Sequence, residues 1–126
     1  MNIKRSIVGS LFSMLLVSEM AAADWGDVYY CQMTNFVDIT LEGEKINYKL
    51  ERFQFKLDQT KNAMVFGSTG YLKDSVYDLV LSNFGSTEFW LANSQFSITY
   101  FENGKLVYTG NNTLGAHVIS ADCDKF

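Results

Sequence analysis

The sequence contains no proline, only two cysteines and a single histidine among its 126 residues. One histidine and two cysteines bonded to each other cannot supply the ligands of a zinc site. A catalytic triad would have to use His117, but the surrounding residues, GAHVISA, are typical of a strand and lack the glycine pattern of a nucleophile elbow. We therefore expect His117 to be a structural or surface residue, and we expect no metal and no cofactor.

Basic residues are also few. Lysine and arginine number 10 against 14 aspartate and glutamate residues, the formal net charge is −4, and no cluster of basic residues stands out. Nucleic acid and anionic membrane surfaces are therefore excluded as expected partners.

Long apolar runs are absent except near the start of the chain. Lys4 and Arg5 precede an apolar run over residues 7–17, which is followed by alanines at positions 21–23. This order is typical of a secretory signal peptide, and the run is too short to span a bilayer comfortably. We predict that residues 1–23 are removed, with cleavage before Asp24, and that residues 24–126 form one periplasmic or secreted domain with no membrane span.

The two cysteines, Cys31 and Cys123, lie near the two ends of the predicted domain. In an exported protein they predict one disulfide, with two buried free thiols as the alternative. Cys31 is in phase with Tyr29, Met33, Val37, Ile39 and Leu41, and Cys123 is in phase with Ile119 and Ala121. The first and last strands are therefore expected to be neighbours, or to face each other across the core.

Short strands dominate the rest of the chain. Residues 52–58 alternate between polar and apolar, while the apolar residues at 46, 48 and 50 lie on even positions, so a bulge or sharp bend is expected near Glu51 and Arg52. Asn103 and Gly104 predict a two-residue hairpin turn. The apolar groups on both faces of that hairpin predict that it is central in the sheet or covered on both sides. Further turns are expected near residues 42–44 and 59–62.

Residues 74–84 fit either a helix or a strand, and their β-branched content favours a strand. The whole pattern predicts an all-β domain, a small antiparallel barrel or sandwich of about seven or eight strands, closed by one disulfide between the first and last strands.

Candidate chemistry is sparse. Asp122 and Asp124 form a bare D-x-D pattern, which indicates solvated charges more than a calcium site. Enzymes that use two carboxylates remain an alternative, but no catalytic group is identified and we expect a non-enzymatic protein. Aromatic residues make up 15% of the chain, so Trp25, Tyr30, Tyr71 or Trp90 could either fill the core or line a binding surface.

The stretch GSTGYLK supplies Ser68, Gly70, Tyr71 and Lys73 in a loop-like region between strands. With the predicted export and terminal disulfide, this layout resembles the inhibitors of C-type lysozyme found in bacterial envelopes, and more generally small exported proteins of Gram-negative bacteria. The resemblance implies a small β-barrel whose Ser/Gly/Tyr loop, assisted by a basic residue, enters the lysozyme cleft.

Two functions follow as expectations. The first is binding of a protein, glycan or small apolar ligand by an exported non-enzymatic domain. The alternative is inhibition of a cell-wall hydrolase through the loop at residues 68–73. The candidate binding residues are Ser68, Gly70, Tyr71, Lys73 and Trp90.

Overall fold

The computed structural model describes residues 23–84 and 87–126, and the predicted signal peptide therefore lies outside the described residues apart from Ala23. All the regular structure in these residues is β. The nine strands are β1 (Val28–Thr40), β2 (Lys45–Asn47), β3 (Arg52–Asp58), β4 (Ala63–Phe66), β5 (Val76–Phe84), β6 (Thr87–Ser94), β7 (Ser97–Glu102), β8 (Lys105–Asn112) and β9 (Gly115–Lys125). The segment that fitted helix or strand is thus the strand β5, and the all-β prediction is confirmed.

Eight of the strands form a closed antiparallel barrel in the order β1-β3-β4-β5-β6-β7-β8-β9, with β9 returning to pair with β1. The short strand β2 is the ninth. It pairs with Val37–Ile39 on β1. Strand β9 occupies the other edge of β1, so β2 and β3 lie one after the other along the same edge. Closure leaves the barrel without a long unpaired edge along β1.

The disulfide lies at the point of closure. Cys31 on β1 and Cys123 on β9 are direct cross-strand partners, with their Cα atoms 4.0 Å apart and both side chains buried. The predicted bond between neighbouring first and last strands is confirmed. A disulfide of this kind is typical of proteins from oxidising, extracytoplasmic compartments.

Large side chains fill the interior of the barrel. Stacked and edge-on contacts join many of its rings, with centroids 4.7–6.0 Å apart, a geometry that stabilises beyond the area buried. The buried aromatic residues are Tyr29, Phe36, Phe53, Phe55, Phe66, Tyr77, Trp90, Phe101 and Tyr108. The interior is therefore a packed core rather than an open lumen.

The hairpin of β7 and β8 turns at Asn103 and Gly104, which both have positive φ, and Glu102 faces Lys105 as expected. The hairpin is central in the sheet, as one form of the prediction had it, because β7 also pairs with β6 and β8 also pairs with β9. The other form, that both of its faces are covered, was wrong. Ile98, Tyr100 and Val107 lie on the outer face and are exposed. The reason is that a barrel covers only its inner face, and exposed apolar side chains are tolerated on protein surfaces.

Strand β1 changes phase at a bulge. Thr34 and Asn35 together lie opposite Ser120, whose hydroxyl is 2.7 Å from Thr34 Oγ1 and 2.8 Å from Asn35 Nδ2. Val37, Ile39 and Leu41 were expected to lie on the same face as Cys31, and beyond the bulge this prediction was wrong. The extra residue turns Phe36 and Asp38 inward and leaves Ile39 and Leu41 exposed.

The chain that pairs with β1 on its other edge, β2 followed by β3, is also interrupted opposite the bulge. Residues 48–51 separate β2 from β3 without changing the register against β1. The bulge or sharp bend expected near Glu51 and Arg52 falls at this break between β2 and β3, where no register shift marks it, and Ile46, Tyr48 and Leu50 are exposed.

Candidate functional site

A concave site lies at the end of the barrel beyond the β1 bulge. We call it the mouth site, and it has a volume of about 460 Å³. Its lining combines aromatic and charged side chains: Phe36, Asp38, Tyr48, Lys49, Glu51, Tyr71 and His117. This volume lies within the range of about 300–1,000 Å³ that is usual for small-ligand sites.

The bulge positions the polar centre of the mouth site. Beyond it, Asp38 on β1 is the direct cross-strand partner of His117 on β9. Both side chains project to the same face, and His117 Nδ1 lies 2.8 Å from Asp38 Oδ1. Cross-strand pairing thus brings together two residues 79 positions apart in the sequence.

Both ring nitrogens of His117 are engaged. Asn112 Oδ1 accepts hydrogen bonds from the backbone N–H groups of Leu114 and Gly115, so its amide nitrogen faces His117 Nε2 at 2.9 Å. Nε2 must then accept, which places the ring proton on Nδ1, where it is donated to Asp38. This orientation leaves no free nitrogen lone pair for proton transfer to a ligand.

Asp38 also accepts a hydrogen bond from the Tyr48 hydroxyl, at 3.0 Å from its other oxygen, Oδ2. This bond is the main reason that the pKa of Tyr48 is raised, because ionisation would remove the donated proton and place a second negative charge beside the carboxylate. Burial raises the pKa of Tyr71, with the nearby Asp38 adding to the effect. Both phenols are therefore uncharged at neutral pH.

Three aromatic rings form one continuous wall of the mouth site. The Phe36 centroid lies 4.9 Å from that of Tyr48 and 5.0 Å from that of Tyr71, at interplanar angles of 41° and 58°. Phe36 is buried, whereas the two tyrosines are 42% and 46% exposed. Phe36 thus fixes the two tyrosine rings, which present their surfaces to solvent.

The loop at residues 67–75 holds Tyr71 in place. Leu72 is fully buried, and Asp74 N donates to the Gly67 carbonyl at 2.7 Å. Tyr71 N donates to Glu51 Oε1 at 2.8 Å, which links the loop to the segment between β2 and β3. Gly70 has a φ of +88° and lies against this carboxylate, a backbone conformation that favours glycine.

Beneath the mouth site the interior becomes more polar. The Tyr108 hydroxyl lies over Gly110, where an added Cβ would be 2.8 Å from that oxygen and 3.4 Å from His117 Cδ2. Burial raises the pKa of Tyr108, and a hydrogen bond with Tyr77 adds to the effect. Glycine at position 110 therefore leaves room for both the phenol and the imidazole.

The residues predicted from the sequence separate into two groups. Tyr71 lines the mouth site, and Gly70 supports it, while Ser68 and Lys73 are exposed on the same loop. Trp90 lies elsewhere: it is buried inside the barrel, 5.0 Å from Trp25 between ring centroids, and its indole nitrogen has no hydrogen-bond partner among the described residues.

Sequence reasoning did not identify Phe36, Asp38, Tyr48, Lys49, Glu51 and His117 as members of one site. A signal was present, because Thr34 and Asn35 are consecutive polar residues and Phe36 is out of phase with Met33. This break in alternation is what a bulge produces in a sequence.

Residues 23–84 and 87–126 contain no group of three or more histidine, cysteine, aspartate or glutamate side chains arranged to hold a metal ion. They also contain no helix long and apolar enough to cross a membrane. Comparison with protein family models, with curated proteins and with solved structures gives no match for this chain. The geometry of the mouth site is therefore the basis for assigning a function.

Proposed function

We propose that this chain is an exported, non-enzymatic binding domain that takes a small ligand, or an exposed part of a larger one, in the mouth site. The observation that carries this proposal is the combination of two solvent-exposed tyrosine rings with charged groups around one cavity. Sites of this kind combine apolar contact area with a few polar groups that orient the ligand.

The packed interior supports a site at the mouth rather than inside the barrel. Side chains such as Phe55, Phe101 and Leu106 fill the central layers and are almost fully buried. A small apolar ligand would have to displace them, at a cost comparable with disrupting a close-packed core. Among the ligand classes considered from the sequence, a glycan or a protein segment fits better than an apolar molecule.

The state of His117 supports binding rather than catalysis. Its two nitrogens are held by Asp38 and Asn112, so a general base would first have to break one of these hydrogen bonds. Export is supported by the disulfide, which persists in oxidising compartments, and by the signal-peptide pattern at the start of the chain.

A fragment screen observed by NMR on the ¹⁵N-labelled protein tests the proposed site. Hits are expected to shift the amide signals of Asp38, Tyr71 and His117 together. Tyr71→Ala should weaken these hits by at least about tenfold, which is about 1.4 kcal/mol. Tyr30→Ala is the matched control, since Tyr30 is also 46% exposed but lies against Phe126, outside the mouth site. Hits that avoid the mouth site, or that respond equally to both variants, would contradict the proposal.

A second candidate function is inhibition of a cell-wall hydrolase by the loop at residues 68–73. The observation that favours it is that buried Leu72 and the Tyr71–Glu51 hydrogen bond fix the loop, while Ser68 and Lys73 remain exposed. A preorganised loop loses less entropy on binding. Lysis of bacterial cell walls by C-type lysozyme should slow on adding the protein, and Lys73→Ala should relieve this inhibition. Undiminished lysis at a large molar excess would exclude it.

A further inference from the structure

Three polar groups of the mouth site can still form hydrogen bonds, and they differ in charge. Within the described part of the chain, no hydrogen bond or ion pair involves the Lys49 ammonium or the Tyr71 hydroxyl. Glu51 uses one carboxylate oxygen, Oε1, to accept from the Tyr71 backbone. The lining thus offers one cationic donor, one anionic acceptor and one phenol that both donates and accepts.

This set discriminates among ligand charges. An anion would meet the carboxylates of Asp38 and Glu51, and a cation would meet the unpaired ammonium of Lys49. Like charges brought together in a partly desolvated site weaken binding. An apolar ligand would cover all of these groups without replacing the hydrogen bonds they make to water. A neutral ligand with several hydroxyl groups avoids each of these costs, because a hydroxyl both donates and accepts.

The tyrosine rings add a second requirement. Tyr48 and Tyr71 expose their rings beside the polar groups. Both rings pack against Phe36, whose centroid is 4.9 Å from that of Tyr48 and 5.0 Å from that of Tyr71. The face of an aromatic ring is negative and attracts weakly positive C–H groups. A pyranose ring presents C–H groups on its faces and hydroxyls around its rim, so it satisfies both requirements at once.

We infer that the mouth site binds the rings of a neutral carbohydrate, with a pyranose face on Tyr71 or Tyr48 and hydroxyls directed to Lys49 and Glu51. This inference rests on the proposed function and names its ligand class. Phe36 and the Asp38–His117 pair act as the support that holds the rings and carboxylates in place.

The test uses a panel of neutral trisaccharides built from glucose, galactose and N-acetylglucosamine, followed by saturation-transfer NMR at up to about 10 mM, where weak binding is still detectable. At least one trisaccharide is expected to bind, with its ring C–H protons receiving the strongest saturation. Choline, inorganic phosphate and a medium-chain fatty acid are the cationic, anionic and apolar comparison probes, and each should bind more weakly than the best sugar.

Three variants separate stacking from hydrogen bonding. Tyr71→Phe keeps the ring and should retain binding within severalfold, whereas Tyr71→Ala should lose at least about tenfold. Lys49→Met keeps most of the length of the side chain but removes the donor, and should weaken sugar binding severalfold. An unchanged amide spectrum outside the mouth site will show that each variant is folded.

The results distinguish the two levels of the proposal. If fragments bind at the mouth site but no trisaccharide does, or if choline, phosphate or the fatty acid binds best, the carbohydrate inference is wrong and the binding function stands. If neither fragments nor sugars perturb the mouth site, both are wrong.

Discussion

Reduction of the Cys31–Cys123 disulfide should lower the free energy of unfolding by about 4–5 kcal/mol. The two cysteines are separated by 92 positions, and the chain-entropy relation gives about 4.6 kcal/mol at 25 °C for a loop of that length. The barrel itself should persist, because β1 and β9 remain paired from Tyr29 to Thr40 without the covalent bond. A loss of this size is a large part of the roughly 5–15 kcal/mol available to a small domain.

Urea unfolding, followed by fluorescence of the two tryptophans, measures this loss in the oxidised protein, in the protein reduced with a phosphine, and in a Cys31→Ala/Cys123→Ala variant. The reduced protein and the variant should agree apart from a small packing difference. Because the disulfide acts by keeping the unfolded chain compact, reduction should also raise the dependence of the unfolding free energy on urea concentration, the m value. A loss below about 1 kcal/mol with an unchanged m value would refute the reasoning.

Two further predictions concern a turn and a phenol. Gly115→Ala should destabilise by about 3 kcal/mol or more in the same assay, because φ is +150° and the new methyl group would overlap the Ile39 carbonyl oxygen. Gly43→Ala is its control and should cost only about 1 kcal/mol, since φ is +87° but the space is open. The raised pKa of Tyr48 means that its contribution to stability is fully present below about pH 10, the value for an unfolded tyrosine, and is lost as pH rises through the folded-state pKa. Asp38→Asn should therefore move the ionisation of Tyr48 to lower pH in an ultraviolet titration, and an unmoved titration would show that Asp38 does not cause the shift.

Local patterns were sufficient to predict much of the barrel. Asn103 and Gly104 tolerate positive φ and so determined the β7–β8 turn and its register. Alternation over residues 52–58 determined which face of β3 is buried. The disulfide followed from the small number of cysteines and the predicted compartment.

The mouth site could not be predicted in the same way, because it depends on pairing between distant strands. Asp38 and His117 meet only if β9 pairs with β1 in this register and if β1 carries its bulge. Tyr71 was identified as a candidate from loop composition, but the neighbours that give it a role come from β1 and from residues 48–51. Trp90 illustrates the opposite case, since an aromatic residue within a strand can belong to the core as readily as to a binding surface.

The bulge at Thr34 makes the polarity of the barrel mouth depend on the number of residues in β1. Gain of one codon just after the bulge, if it were taken up in regular pairing, would turn Val37 and Ile39 inward and Asp38 outward while the strands could still pair. The β1 side of the mouth would then be apolar, Lys49 and Glu51 would still line the rest, and Asp38, the partner of His117, would face solvent. A change in ligand class would thus require neither a new loop nor a substituted side chain, so length variation in β1 is a direct way for such a barrel to gain or lose its site.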